Sequence, residues 1–89
     1  MKLQTLGDAI DERMESRADS PAAAALALGV TMDELLAWTG DEVLPGPAQV
    51  GTVLRYLDVD ADRYRGLCLR SQMRRVQSSI RNGPSARSA

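Results

Sequence analysis

The stretch from Ser20 to Gly40 reads SPAAAALALGVTMDELLAWTG, and it constrains the fold more than any other segment. Ser20 is a good N-cap, and Pro21 at the first helical position lacks only an N–H that would be free anyway. The run PAAAALAL extends a helix until Gly29 stops it. Thr31 restarts the chain as a second cap, and Glu34 three residues later completes a capping box. Two short helices are thus joined by Gly29-Val30-Thr31, which leaves room for them to cross at a tight turn. Such a crossing needs a small residue at the contact, here Ala25, and a permissive residue at the bend, here Gly29.

The flanking segments follow the same period. Thr5 and Asp8 have the spacing of a cap, and Leu6, Ile10 and Met14 form an apolar stripe behind it, with Leu3 ahead. The stretch RADSP ends that helix. GDEVLPGP is a loop rich in turn formers. Pro47 starts a fourth helix with Val50, Val53, Leu54 and Leu57 on its inner face. DVDAD is a break and cap. A fifth helix is expected over about 61–82, with Tyr64, Leu67 and Cys68 closing the core. Residues 83–89, GPSARSA, are expected to be a disordered tail. Alanine and leucine abound and β-branched residues are few, which favours an all-α chain. At 89 residues this is one small domain with a modest core.

The chain has no histidine and one cysteine. That excludes an internal disulfide, Cys/His zinc sets and His-based triads. No cofactor, no metal and no enzymatic activity is expected. Asp58, Asp60 and Asp62 open like a calcium loop, but Arg63 stands where Gly is needed and Leu69 where Glu is needed, so helix capping is the better reading. The longest apolar run, Ala22 to Leu28, is too short for a membrane span, and nothing after Met1-Lys2 reads as a signal peptide. A cytoplasmic protein is expected.

Charge is strongly polarised. Residues 1–62 hold twelve acids and four bases, whereas residues 63–89 hold seven arginines and no acid. This polarity either recruits a partner or lets the basic helix lie on its own acidic body. Beyond the core, Leu69, Met73, Val76 and Ile80 recur at intervals of four, three and four, a seam for another helix. The seam either joins two copies as a homodimer or folds back on its own domain.

The segment SPAAAALALGVTMDELLAW resembles the Xre/Cro-like helix-turn-helix family, the lambda-repressor-like fold. Ala24-Ala25 stand at the family's Leu-Ala positions, and Leu28-Gly29-Val30-Thr31 match its Leu-Gly-Val-Ser. Leu35 and Trp38 match its inward apolar residues, Pro45 or Pro47 its loop proline, and VLRYLDVDADRYRGL its closing segment. The resemblance covers roughly residues 5–67. It implies a five-helix helix-turn-helix domain over 1–67, with a basic amphipathic extension over 68–82. It also implies a DNA-binding transcriptional regulator whose second helix touches the backbone and whose third reads bases. DNA-facing positions would be Thr31, Met32, Asp33, Leu36 and Ala37. Arg13, Arg17, Arg70, Arg74 and Arg75 would contact phosphates.

The chemistry of that face points elsewhere. Pro21, Ala22, Ala23, Leu26 and Ala27 stand where the family usually carries polar residues. From Ser20 to Leu44 there are four acids and no base, although phosphate neutralisation supplies most nonspecific affinity for DNA. Asp33 and Glu34 are explained locally by the helix N-terminus. The alternative is a protein interface formed by Ala22, Ala23, Leu26, Met32 and Leu36.

Overall fold

The computed structural model describes the backbone of residues 4–88 and the side chains of residues 4–77. Within them the chain is all-helical, with no strand. The helices are α1 (Leu6–Arg17), α2 (Pro21–Leu28), α3 (Met32–Thr39), α4 (Val50–Leu57) and α5 (Ala61–Ser88), with a 3-10 turn at Pro47–Gln49 before α4. No single helix is long and apolar enough to cross a membrane.

The caps read from sequence form these boundaries. The Thr5 and Asp8 side chains bond reciprocally to each other's backbone N–H, and Thr31 and Glu34 do the same at α3. The Ser20 hydroxyl accepts from the Ala23 N–H, and Asp60 accepts from the Arg63 N–H at 2.8 Å. Gly29 ends α2 in the left-handed region at φ 72°, a conformation that glycine adopts without a Cβ penalty. The bend it permits sets α2 and α3 at 101°.

The core gathers Leu6 and Ile10 of α1, Ala24, Ala25 and Leu28 of α2, Leu35 and Trp38 of α3, Val53, Tyr56 and Leu57 of α4, and Leu67 of α5. Met14, Val30, Leu44, Tyr64 and Cys68 pack around it. The inner face of α4 departs from expectation. Val50 and Leu54 are only half-buried, and Tyr56 is buried instead. The 3-10 turn delays α4 to Val50, so Val50 opens the helix at its edge. The Tyr56 ring goes inward because its hydroxyl has a partner there: it donates to Asp19 at 2.8 Å, tying α4 to the α1–α2 turn. Burial and the Asp19 charge push the Tyr56 phenol up to about 12. The backbone of α5 stays helical to Ser88, past the end expected at Asn82 and through the helix breakers Gly83 and Pro84.

Candidate functional site

Two surfaces carry the chemistry: the outer face of α2 and α3, and the side of α5 that lies on the body.

The α2–α3 face is apolar and open. Leu26 is 84% exposed, Leu36 52% and Met32 41%. Met32 and Leu36 stand one turn apart on α3 and so share a face. Ala22, Ala23, Thr31 and Asp33 are exposed as well, and Ala37 is half-buried. Val43, just beyond α3, adds another exposed apolar side chain. Glu34 is fixed by its cap and by a hydrogen bond from Gln49 Nε2 at 3.3 Å. The bond from the Thr31 backbone, then that from Gln49, holds its carboxyl below the usual range.

The arginines are elsewhere, and they are occupied. Arg13 Nε donates to the Tyr56 carbonyl at 2.8 Å. Arg17 pairs with Asp19 at 2.9 Å and sits over the Tyr56 ring. Arg70 donates to the Gln4 carbonyl. Arg75 donates to the Glu42 carbonyl at 3.2 Å. Arg74 bridges Asp41 at 2.9 Å and Asp8 at 3.1 Å. Among the described arginines, every one except Arg55 contacts a carboxylate, carbonyl or amide oxygen of the chain.

The centre of these contacts is Asp41, which the sequence placed in a loop and gave no role. Its side chain is buried, and its backbone is left-handed at φ 59°, a region that Asp tolerates better than most residues. One carboxylate oxygen accepts from the Gly7 N–H at 3.0 Å and the Ser71 hydroxyl at 2.8 Å. The other accepts from the Thr5 hydroxyl and Arg74, both at 2.9 Å. Ser71 in turn accepts from the Leu6 N–H at 2.9 Å. The free N–H groups at the start of α1 are thereby all satisfied: Thr5 by Asp8, Leu6 by Ser71, Gly7 by Asp41 and Asp8 by Thr5. A buried helix terminus requires such partners. Ser71 and Arg74 lie beyond residue 67, so the body reaches into the segment expected to be an extension.

This network predicts acid sensitivity. Burial pushes the Asp8 carboxyl up, but the Arg74 hydrogen bond and charge and the Thr5 cap outweigh it, and the net shift is below the ordinary 3.8. A depressed carboxyl stabilises the fold above its unfolded value, and that contribution is lost as pH falls through the folded value. Asp11 works the other way, since burial and the charges of Asp8 and Asp41 push its carboxyl up. Of these two acids only Asp8 is ion-paired, so the loss of its pairing with Arg74 sets the expected direction. Thermal midpoints should stay level from neutral pH to about pH 5 and fall steadily below about pH 4. A midpoint unchanged through that acid range would contradict the ion-paired role of Asp8.

The seam face of α5 is open. Leu69, Met73 and Val76 are each more than half exposed, so they do not fold back on the domain; the Ile80 side chain lies outside the described residues. Cys68 packs beside Tyr64, and burial raises its thiol above the ordinary range. A cleft bounded by Gln4, Glu12, Arg13, Ser16 and Arg63 is polar and mixed in charge. No family model, curated protein or solved structure matches the chain.

Proposed function

We propose that this chain is a helix-turn-helix module of the lambda-repressor-like kind whose α2–α3 face binds a protein partner. The fold part of this reading is supported by the 101° crossing of α2 and α3 over a three-residue turn headed by Gly29, within the range such motifs use. The observation that carries the functional part is the exposure of Leu26, Met32 and Leu36 on α2 and α3, within a segment, Ser20 to Leu44, that holds no basic residue. Contiguous exposed apolar surface with a polar rim marks interaction sites. Asp33 and Glu34 are exposed on the first turn of α3 beside Met32, so the fitting partner presents apolar side chains accompanied by Lys or Arg.

A second reading, a DNA-binding transcriptional regulator, draws on the same helix crossing and on the uncovered outer side of α3. It requires Arg13, Arg17, Arg70, Arg74 and Arg75 to leave their contacts within the chain and reach phosphates.

Leu26→Glu and Leu36→Glu separate the outcomes. Both side chains are exposed, so thermal midpoints should move by no more than about 0.5 kcal/mol equivalent. The tagged protein should retain a protein from extracts of its source cells, and both variants should lose it. A large drop in stability would make these residues core, and retention of duplex DNA by the intact chain would favour the second reading.

A further inference from the structure

A small cleft lies between α1 and the corner where α4 passes into α5, and charges of both signs line it. Its volume is about 220 Å³, below the roughly 300–1,000 Å³ of pockets that take drug-sized ligands. Its apolar part is Ala9, Leu57 and Val59. Ala9 and Leu57 are buried and Val59 is half-buried. Ala9, Glu12, Arg13 and Ser16 recur at three- and four-residue spacing, so α1 turns them to one side. Ala9 contributes only a methyl group, so the surface of α1 is recessed among the longer side chains.

The polar part is built from groups held in place. Arg13 Nε donates to the Tyr56 carbonyl at 2.8 Å. That bond uses one edge of the guanidinium and leaves its two terminal nitrogens for a planar acceptor. Arg63 Nη2 donates to the Gln4 amide oxygen at 3.4 Å. Both guanidiniums are thus held by neutral oxygens, and among the described residues neither pairs with a carboxylate. Arg17, Arg65 and Arg74 each do. Glu12 lines the same cleft, yet no ion pair joins it to Arg13 or Arg63. Ser16 Oγ donates to the Arg13 carbonyl at 3.1 Å, which leaves its lone pairs to accept.

We infer that this cleft binds a free α-amino acid with a small aliphatic side chain. The ligand carboxylate lies on the terminal nitrogens of Arg13, with Arg63 closing from α5. Its ammonium lies on Glu12 and Ser16 Oγ, and its side chain covers Leu57 and Val59. Both charges are needed. Two guanidiniums call for an anionic group, and Glu12 calls for a cationic one. A purely anionic ligand such as phosphate would face Glu12 and the exposed Asp58, Asp60 and Asp62 of the same corner. It would also face a body whose residues 1–62 hold twelve acids against four bases. Like-charge repulsion weakens such binding, whereas a zwitterion carries no net charge. This goes beyond the reading of the α2–α3 face and does not depend on it.

The test is isothermal titration calorimetry of the full chain with L-alanine, L-valine and L-leucine in turn, at millimolar concentrations. At least one should show saturable binding at one site per chain. Acetate and methylamine each carry half of the charge pattern. Each should bind at least about tenfold more weakly, the loss of one charge-assisted hydrogen bond. Inorganic phosphate should also bind more weakly than the amino acid. Glu12→Gln keeps the shape and removes the charge, and Arg63→Gln removes one cation. Both side chains are exposed, so helix content should hold while affinity falls at least about tenfold. Asp33→Ala, on α3, should leave the affinity unchanged. This pattern supports the inference. No saturable binding of any of the three amino acids, phosphate or acetate binding as tightly, or affinity untouched by Glu12→Gln overturns it. Failure here leaves the α2–α3 reading standing, because that reading is tested on different residues.

Discussion

Asp41→Ala should cost about 3–5 kcal/mol of stability, because it orphans the buried Gly7 N–H and Ser71 hydroxyl at about 1–3 kcal/mol each. For a domain of this size that lowers the thermal midpoint by on the order of 15–25 °C. The cause is not one lost contact. The carboxylate takes four donors, from Thr5, Gly7, Ser71 and Arg74. Removing it leaves the Gly7 N–H buried without a partner, frees Ser71 to lose its hold on Leu6, and leaves Arg74 with Asp8 alone. Each orphaned buried group keeps its full desolvation cost. Asp41→Asn keeps the shape but turns one acceptor into a donor facing other donors, so it should recover only part of the loss. Asp33→Ala, on the exposed first turn of α3, should change the midpoint little. Circular dichroism melts of the three variants check this, and an Asp41→Ala midpoint near that of Asp33→Ala would show that the network does not hold the fold.

Gly7→Ala should be the next largest loss, about 3 kcal/mol, at the upper end for overpacking a tight contact. The sign is the informative part. Glycine to alanine inside a helix ordinarily stabilises by about 1 kcal/mol. Here a Cβ on Gly7 would meet the Thr39 carbonyl oxygen at 2.4 Å and the Asp41 carboxylate at 2.8 Å. The first obstacle is backbone and cannot swing aside. α1 can approach the end of α3 this closely only because residue 7 has no side chain. Denaturant unfolding of Gly7→Ala should show a lower midpoint with an unchanged m-value. A rise in stability would mean that α1 and α3 are not packed this tightly.

The helices were legible because their limits are local. Ser20-Pro21, Gly29 and the Thr31–Glu34 box each act within four residues, and the structure places the boundaries of α2 and α3 at those signals. The apolar stripe Leu6-Ile10-Met14 was legible by period. The role of Asp41 was not, because it depends on Thr5, Gly7, Ser71 and Arg74, which lie 30 to 36 residues away in sequence. An Asp after Gly40 in a turn-rich segment looks like any solvated loop acid. The one usable hint was Gly7, an unexpected glycine in the first turn of a well-capped helix. Tyr56 was missed for a related reason: its inward turn depends on Asp19, which the periodicity of α4 does not encode.

The two ends of the charge polarity are also clearer in three dimensions. Of the four acids between Ser20 and Leu44, Asp41 is consumed inside the molecule and Glu34 caps its own helix. The arginines expected at phosphates hold α5 and α1 to the body instead. Self-neutralisation thus accounts for Arg74, which bridges Asp8 and Asp41, whereas Arg70 and Arg75 are held by neutral backbone carbonyls and keep their charge. Two apolar surfaces are left uncovered as well: Leu26, Met32 and Leu36 on α2 and α3, and the outer stripe of α5.

The central claim, that the arginines serve the chain's own fold while the α2–α3 face meets protein, is tested most directly by a fluorescence anisotropy titration with duplex genomic fragments at low salt. Nonspecific DNA binders show Kd values of about 10⁻⁴ to 10⁻⁶ M even at physiological salt, and tighten steeply as salt is lowered. The account predicts no saturable binding through that range at about 50 mM salt. Micromolar binding that weakens steeply with added salt and is reduced by Arg75→Ala, whose guanidinium contacts only an exposed carbonyl, would contradict it.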